Sequence, residues 1–317
     1  MNTISPSAPL ATGRWRPSLQ WLQGRLQVGR GLVASVPTLW LGLFFLIPFA
    51  VVLKISLAET AIAVPPYSAL FDWDGAVANL SLNLGNYRFL FEDSLYLDAY
   101  LNSIKVAAIS TLITLIVAYP MAFMIARSSP GRRVVLLSLV ILPFWTSFLL
   151  RVYAWMGFLK KNGIINDLLL SLGIIDQPLT MLQTDFAVYL GIIYTYLPFM
   201  ILPLYSTLEK LDDSLLEAAE DLGCRPLQRF WLVIVPLSLP GIVAGCLLVF
   251  IPAVGEFVIP ALLGSSDTLM IGRVLWDEFF LNRDWPMASA VAILMLFFLV
   301  VPIMLLRNAQ GRKEEAA

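Results

Sequence analysis

Six stretches of this sequence run for about twenty residues almost without charge, and that pattern leaves the chain few ways to fold. A hydrocarbon layer about 30 Å thick is crossed by roughly 20 residues of helix. Residues 33–53, 106–126, 186–208 and 285–306 contain no Asp, Glu, Lys or Arg. Residues 134–150 are also uncharged and continue past Arg151 to about Leu159, while 237–263 carry one charge, Glu256. Backbone groups in lipid must be hydrogen-bonded within the segment, so the runs are helices rather than open strands. The first run is too long for a cleaved leader and is followed by no small-residue cleavage site, so it is expected to stay as a helix.

The expectation is an all-α integral membrane protein with six transmembrane helices, over about 33–55, 104–126, 134–158, 186–208, 237–263 and 285–306. They make one domain, 33–306, between a basic tail, 1–32, and a short tail, 307–317. Composition agrees. The chain is 59% hydrophobic and 14% charged, against about 25% charged in ordinary soluble domains. A net charge of −1 excludes a basic nucleic-acid binder. With no histidine, His-based acid–base chemistry and His metal sites are excluded. Cys224 and Cys246 have no metal-like spacing and suggest no disulfide framework.

Basic residues set the orientation, because Lys and Arg concentrate in cytoplasmic segments. Arg14, Arg16, Arg25 and Arg30 precede the first span, Arg127, Arg132 and Arg133 lie between the second and third, Lys210, Arg225 and Arg229 between the fourth and fifth, and Arg307, Arg312 and Lys313 after the last. The other loops are acid-rich. Both termini are therefore expected to be cytoplasmic. The long outer loop, 59–100, mixes turn residues and aromatics and reads as a partly ordered cap. Aromatic anchoring and partner docking both fit it.

The cytoplasmic segment 209–236 breaks the membrane pattern. Ser214 and Glu217 have the form of a capping box. Leu215, Leu216, Ala219 and Leu222 then form an apolar stripe at helical spacing. Gly223 stands where a helix-ending glycine belongs, and Pro226 suits the first turn of a second helix with Leu227, Phe230, Trp231 and Ile234 on its apolar face. A short helix–turn–helix on the cytoplasmic surface is expected.

Glu217-Ala218-Ala219, then three residues, Gly223, nine residues and Val233-Ile234-Val235-Pro236 resembles the EAA loop of ABC importer permeases. Val233 and Val235 stand where the family pattern has Ile and Leu, which are apolar exchanges. The resemblance implies a type I ABC importer permease fold, and a coupling function for Glu217, Ala218, Ala219, Gly223 and Pro236 against a groove of a cytoplasmic ATPase. The chain has no G-x-x-x-x-G-K-[ST] motif, so ATP and Mg are expected in that separate ATPase dimer and no cofactor on this chain. Residues 142–155, 250–260 and 270–280 are similar to stretches in putrescine/spermidine importer permeases, and the likeness runs from about Pro37 to Leu306. It implies a polyamine cargo, with the putrescine importer permease subunit the closest match. The partners implied are a second homologous permease, the ATPase dimer and a periplasmic polyamine-binding protein, in a lipid bilayer of the bacterial inner membrane.

A polyammonium cargo needs carboxylates or aromatic faces along its path. Glu256 is the only acid within a span, with Phe250 and Phe257 near it and Trp276, Asp277 and Glu278 following; Tyr153 and Trp155 close the third span. These are the candidate path residues. Two roles fit Glu256: balancing an ammonium in transit, or a structural carboxylate bonded within the assembly. The aromatics equally fit an interfacial belt. Arg151, near the outer end of its span, is expected to snorkel or to pair with an outer acid. Competing functions are the same machinery with an oxyanion or metal cargo, an ion-driven carrier without an ATPase, and an integral membrane enzyme acting on lipid. The last expects clustered acids such as Asp-x-x-x-Asp at the inner face, where this chain has a capped, glycine-broken helix.

Overall fold

The computed structural model describes residues 33–74, 77–265 and 267–314. The basic tail predicted over 1–32 and residues 315–317 lie outside them. The chain divides into two units, Met1–Lys54 and Ile55–Ala317. In the first unit the described residues belong to α1 (Val33–Ser56), an apolar helix whose last residues cross into the second unit. It carries a π turn at Gly42–Leu46. Pro48 explains the widened turn: its ring cannot tolerate the carbonyl four residues back, and it has no N–H to give that carbonyl.

The second unit is built on three long helices, α3 (Ser94–Ala126), α7 (Asp185–Leu208) and α9 (Pro226–Val254), which pack most extensively on one another. Polar caps start two of them. The Asp93 carboxylate accepts from the N–H of Leu95, and the Thr184 hydroxyl from that of Ala187. Both satisfy amide groups that a helix start leaves free. Close approach of α7 and α9 depends on Gly245: a Cβ there would stand 2.6 Å from the sulfur of Met200 and 3.3 Å from its carbonyl oxygen. Small residues admit such contact between helices in lipid, where dispersion replaces the hydrophobic drive.

Around this trio lie α2 (Gly85–Glu92), α4 (Pro130–Ile141), α5 (Phe148–Leu159), α6 (Ile164–Ser171), α8 (Asp213–Asp221), α10 (Val258–Leu263), α11 (Ile271–Phe280) and α12 (Trp285–Glu314). Two apolar clusters fill the interior. One contains Ala122, Ile125, Met200, Leu204 and Ile234, towards the end where α3 and α7 finish. The other contains Leu159, Ile192, Ile259, Leu263 and Ile271, towards the opposite end. In the 59–100 segment, β1 (Phe71–Asp74) and β2 (Val77–Leu80) pair antiparallel, with Phe71 opposite Leu80. The fold is thus helical, as expected, with one short hairpin among the described residues.

Several boundaries differ from expectation. The second span begins at Ser94, ahead of the predicted 104, because the Asp93 cap sets the start rather than the first uncharged residue. The third span is not one helix over 134–158. After α4 the chain makes a 3-10 turn, Leu142–Trp145, and the axis bends by 92° before α5. Pro143 stands in that turn, and Thr146, extended, turns its hydroxyl to the Pro143 carbonyl at 2.7 Å. The fifth span runs from Pro226 to Val254 and breaks before α10, where one helix over 237–263 was expected. The tail predicted over 307–317 is a continuation of α12 as far as Glu314. Among the described residues four helices are long and apolar enough to cross a membrane, or five if the bent pair is one span; the apolar part of α12, Trp285–Val300, is shorter.

Candidate functional site

At the end of the bundle where α3 and α7 finish, α8 hangs between α7 and α9. Its start differs from the predicted capping box. Asp212, not Ser214, is the cap, and its carboxylate accepts from the Ser214 N–H at 2.9 Å. That bond holds the Asp212 carboxyl below its usual pKa. Its end matches the expectation. Gly223 has φ +82°, the left-handed conformation that costs an L side chain most. The N–H of Gly223 reaches the carbonyl of Glu220 at 2.8 Å and that of Cys224 the carbonyl of Ala219 at 3.0 Å, the paired closure of a Schellman end. Pro226 then occupies the first position of α9, with the Arg225 N–H on the Gln228 side chain at 3.0 Å. The predicted second hairpin helix is therefore the foot of α9, joined to the bundle through a π turn at Phe230–Ile234.

Of the predicted apolar stripe, Ala219 is buried and Leu216 half-buried, while Leu215 and Leu222 are exposed. Glu217 and Ala218 are exposed too, and Glu217 has no hydrogen bond or ion pair among the described residues. Pro236 faces outward from α9. Around α8, Arg127 pairs with Asp213, Arg229 with Glu220, and Arg133 with Glu209 at 2.5 Å.

The opposite end holds a cavity of about 500 Å³. Phe148, Leu149 and Tyr153 of α5, Phe257, Val258, Ala261 and Leu262 of the α10 region, and Arg273, Trp276 and Asp277 of α11 line it. The Phe257 and Trp276 rings stack at 4.3 Å with an interplanar angle of 10°, and Trp276 meets Phe280 at 4.1 Å. Asp277 lies 4.0 Å from the Arg273 guanidinium and stays 40% exposed. Carboxylate and aromatic faces in one cavity are what an ammonium group binds.

Directly behind Phe257 the helix break is organised by Glu256. Its carboxylate accepts from the Tyr196 hydroxyl at 2.5 Å and from the N–H groups of Val258 and Ile259 at 3.1 and 3.4 Å. It is 8% exposed. These are the bonds of a structural carboxylate: they satisfy the free amides of α10 and a buried hydroxyl together. Gly272 closes the arrangement, since a Cβ there would collide with the Gly255 carbonyl.

The sequence of this chain matches the family model of binding-protein-dependent transport system inner membrane components over residues 18–313. It belongs to that family. The spermidine/putrescine transport system permease protein PotB of Haemophilus influenzae is 45% identical over 80% of this chain and 84% of its own length. The Escherichia coli protein of the same name is 44% identical over 74% of this chain and 84% of its own length. In three dimensions the chain resembles, with a TM-score of 0.66 and 18% identity, a chain of a bacterial ABC transporter involved in the import of the acidic polysaccharide alginate, covering 92% of this chain and 98% of that one. That likeness speaks for the fold. The protein is a multi-pass inner-membrane transport subunit and not an enzyme.

Within this permease the predicted path residues separate. Tyr153, Phe257, Trp276 and Asp277 share the cavity. Trp155 turns to α7 and meets Tyr194 edge-on at 5.4 Å. Glu278 accepts from the Tyr96 hydroxyl at 2.8 Å, and Phe250 packs against the interior cluster. Arg151 pairs with no acid among the described residues; its guanidinium lies over the Phe144 and Phe148 rings at 5.1 and 5.8 Å. Arg273 and Tyr196 are not among the candidate path residues of the sequence. Arg273 stands four residues before Asp277 on one helix, a spacing legible in the sequence, whereas the Glu256 partner of Tyr196 lies 60 positions away at a helix break.

Proposed function

We propose that this permease is one of two membrane subunits of an ATP-driven importer for polyamines, putrescine foremost and spermidine as a second cargo. The observation that carries the cargo is the cavity: one carboxylate, Asp277, beside the stacked Phe257 and Trp276 rings and Tyr153, in a volume within the ~300–1,000 Å³ range of small-molecule sites. An ammonium group is stabilised there by charge and by ring faces together. The names of the relatives support the same cargo. Glu256 then shapes the rear wall through the α10 start and does not meet the cargo itself.

In this reading the membrane part makes six crossings, with α4 and α5 a broken third and α12 the sixth. The Arg- and Lys-rich connections, both termini and α8 lie on the cytoplasmic side by the distribution of basic residues. A separate ATPase dimer with its own ATP and Mg receives α8 in a groove. Glu217 and Ala218 face outward to meet it, and Gly223 holds the turn. Closure of the dimer moves α8 as a rigid body and with it the bundle. A second permease subunit and a soluble periplasmic polyamine-binding protein complete the assembly.

Arg273 in the cavity is the feature that favours a second reading, an anionic cargo. Uptake of labelled putrescine by a deletion strain, with and without the gene restored, decides between them. Restoration supports the polyamine reading, and uptake indifferent to the gene overturns it.

A further inference from the structure

The charged links around α8 form a pattern that the coupling reading does not require. α8 is tied at both ends. Its first residue, Asp213, pairs with Arg127, which follows directly on the last residue of α3. Its penultimate residue, Glu220, pairs with Arg229 in the first turn of α9. Beside them Arg133, near the start of α4, bonds to Glu209 just beyond α7, and gives a second N–H to the Ala126 carbonyl at the end of α3, 2.9 Å away. All three arginine side chains are about three-quarters buried, at 27%, 26% and 25% exposure, which is unusual for ion pairs at a surface. Apolar packing holds α8 thinly, through Ala219 and a half-buried Leu216. The charge links are therefore a large share of what joins α8 to its own bundle. They also join it to two different long helices, and the forked guanidinium gives each link a direction as well as a charge.

We propose that Arg127 and Arg229 are positioning residues that fasten the two ends of α8 to α3 and to α9, so that one displacement of α8 moves both helices together. Arg133 holds the neighbouring corner of α3, α4 and α7 in register. This rests on the reading of α8 as the ATPase-docking helix. With the links intact, each hydrolysis event carries its full share of cargo. With either link broken, α8 still docks through its outward face, but its motion reaches the bundle incompletely.

The test uses the complete transporter with its binding protein in proteoliposomes, measuring labelled putrescine uptake and phosphate release on the same sample. Arg127→Gln and Arg229→Gln are each expected to lower putrescine carried per phosphate released by about five-fold or more, the low end of typical coupling between sites, while phosphate release continues. Reversal of the pair, Arg127→Asp with Asp213→Arg, is expected to recover most of the loss. Arg88→Gln, which breaks an exposed pair with Glu92 at the opposite end, leaves the ratio unchanged. An unchanged ratio in both arginine variants, or a reversed pair no better than Arg127→Asp alone, overturns the inference. Failure of the underlying reading looks different: Glu217→Lys then leaves uptake and phosphate release both at the wild-type level.

Discussion

The two ends of this bundle handle charge in opposite ways. At the α8 end, charges are matched across a surface: Arg127, Arg133 and Arg229 each meet a carboxylate, while the Glu217 carboxylate faces outward. At the cavity end, two carboxylates 21 positions apart in sequence have different fates. Glu256 is consumed by Tyr196 and the α10 amides, and Asp277 stays half-exposed beside stacked rings. The lesson is that a carboxylate's role follows from how many donors surround it, not from its depth in an apolar run. Glu256 lies in the longest apolar stretch and meets three donors. Asp277 lies outside any predicted span and faces one more distant donor, Arg273 at 4.0 Å.

The comparison breaks most sharply at α8. Glu217→Lys is expected to reduce putrescine uptake by about thirty-fold or more with insertion unchanged, since inverting a charge in a docked interface costs about 2–5 kcal/mol. Membrane fractionation and uptake on the same cells measure it. Gly223→Val acts in the same direction, because a β-branched residue cannot hold φ +82°.

Next in size is the cavity. Asp277→Asn keeps shape and removes charge. The maximal uptake rate is expected to fall about ten-fold, as for the loss of one charged contact of about 1.5 kcal/mol. The external half-saturation, set in the proposed assembly by the soluble binding protein, stays constant. A shift in half-saturation alone would assign Asp277 to docking of that protein instead.

Tyr196→Phe then separates the two carboxylates. It removes one donor from buried Glu256, at about 1–3 kcal/mol of stability. Thermal unfolding of the purified protein is expected to show the loss. The cargo dependence of uptake is expected to be unmoved, which is what distinguishes Glu256 from Asp277.

The smallest effect concerns the Asp212 cap. Its carboxyl is held below the usual range by the Ser214 N–H. The cap therefore contributes fully above the unfolded-state pKa of about 3.9 and is lost as pH falls through the lowered folded value. Hydrogen exchange in α8 is expected to quicken only in that acid window. Asp212→Asn, which still accepts the bond but does not titrate, is expected to remove the pH dependence.

The hairpin was legible because its signals are local. The turn at Gly223 and the Pro226 start lie within a few residues of one another and are dictated by backbone conformation. Even there the start was misread: Ser214 offers a hydroxyl, but Asp212 is the residue in extended conformation ahead of the first turn. The cavity was half legible. Tyr153, Phe257, Trp276 and Asp277 were singled out by type, yet so were Trp155 and Glu278, which face other helices. Residue type gives a candidate, and only the rotation of α5 and α11 about their axes decides whether it reaches the space between them.

Sequence alone determined that the chain is helical and lipid-bound, where its basic residues gather, and how the 209–236 loop turns. Each of these follows from hydrophobic length, charge count or the backbone freedom of one residue. Tertiary structure decided where the third and fifth apolar runs break, which aromatics share a cavity, and that Glu256 meets three close donors while Asp277 stays part-exposed beside Arg273. Those outcomes depend on donors and ring faces supplied from helices distant in sequence, and no local pattern carries information about a partner that folding alone brings within 3 Å.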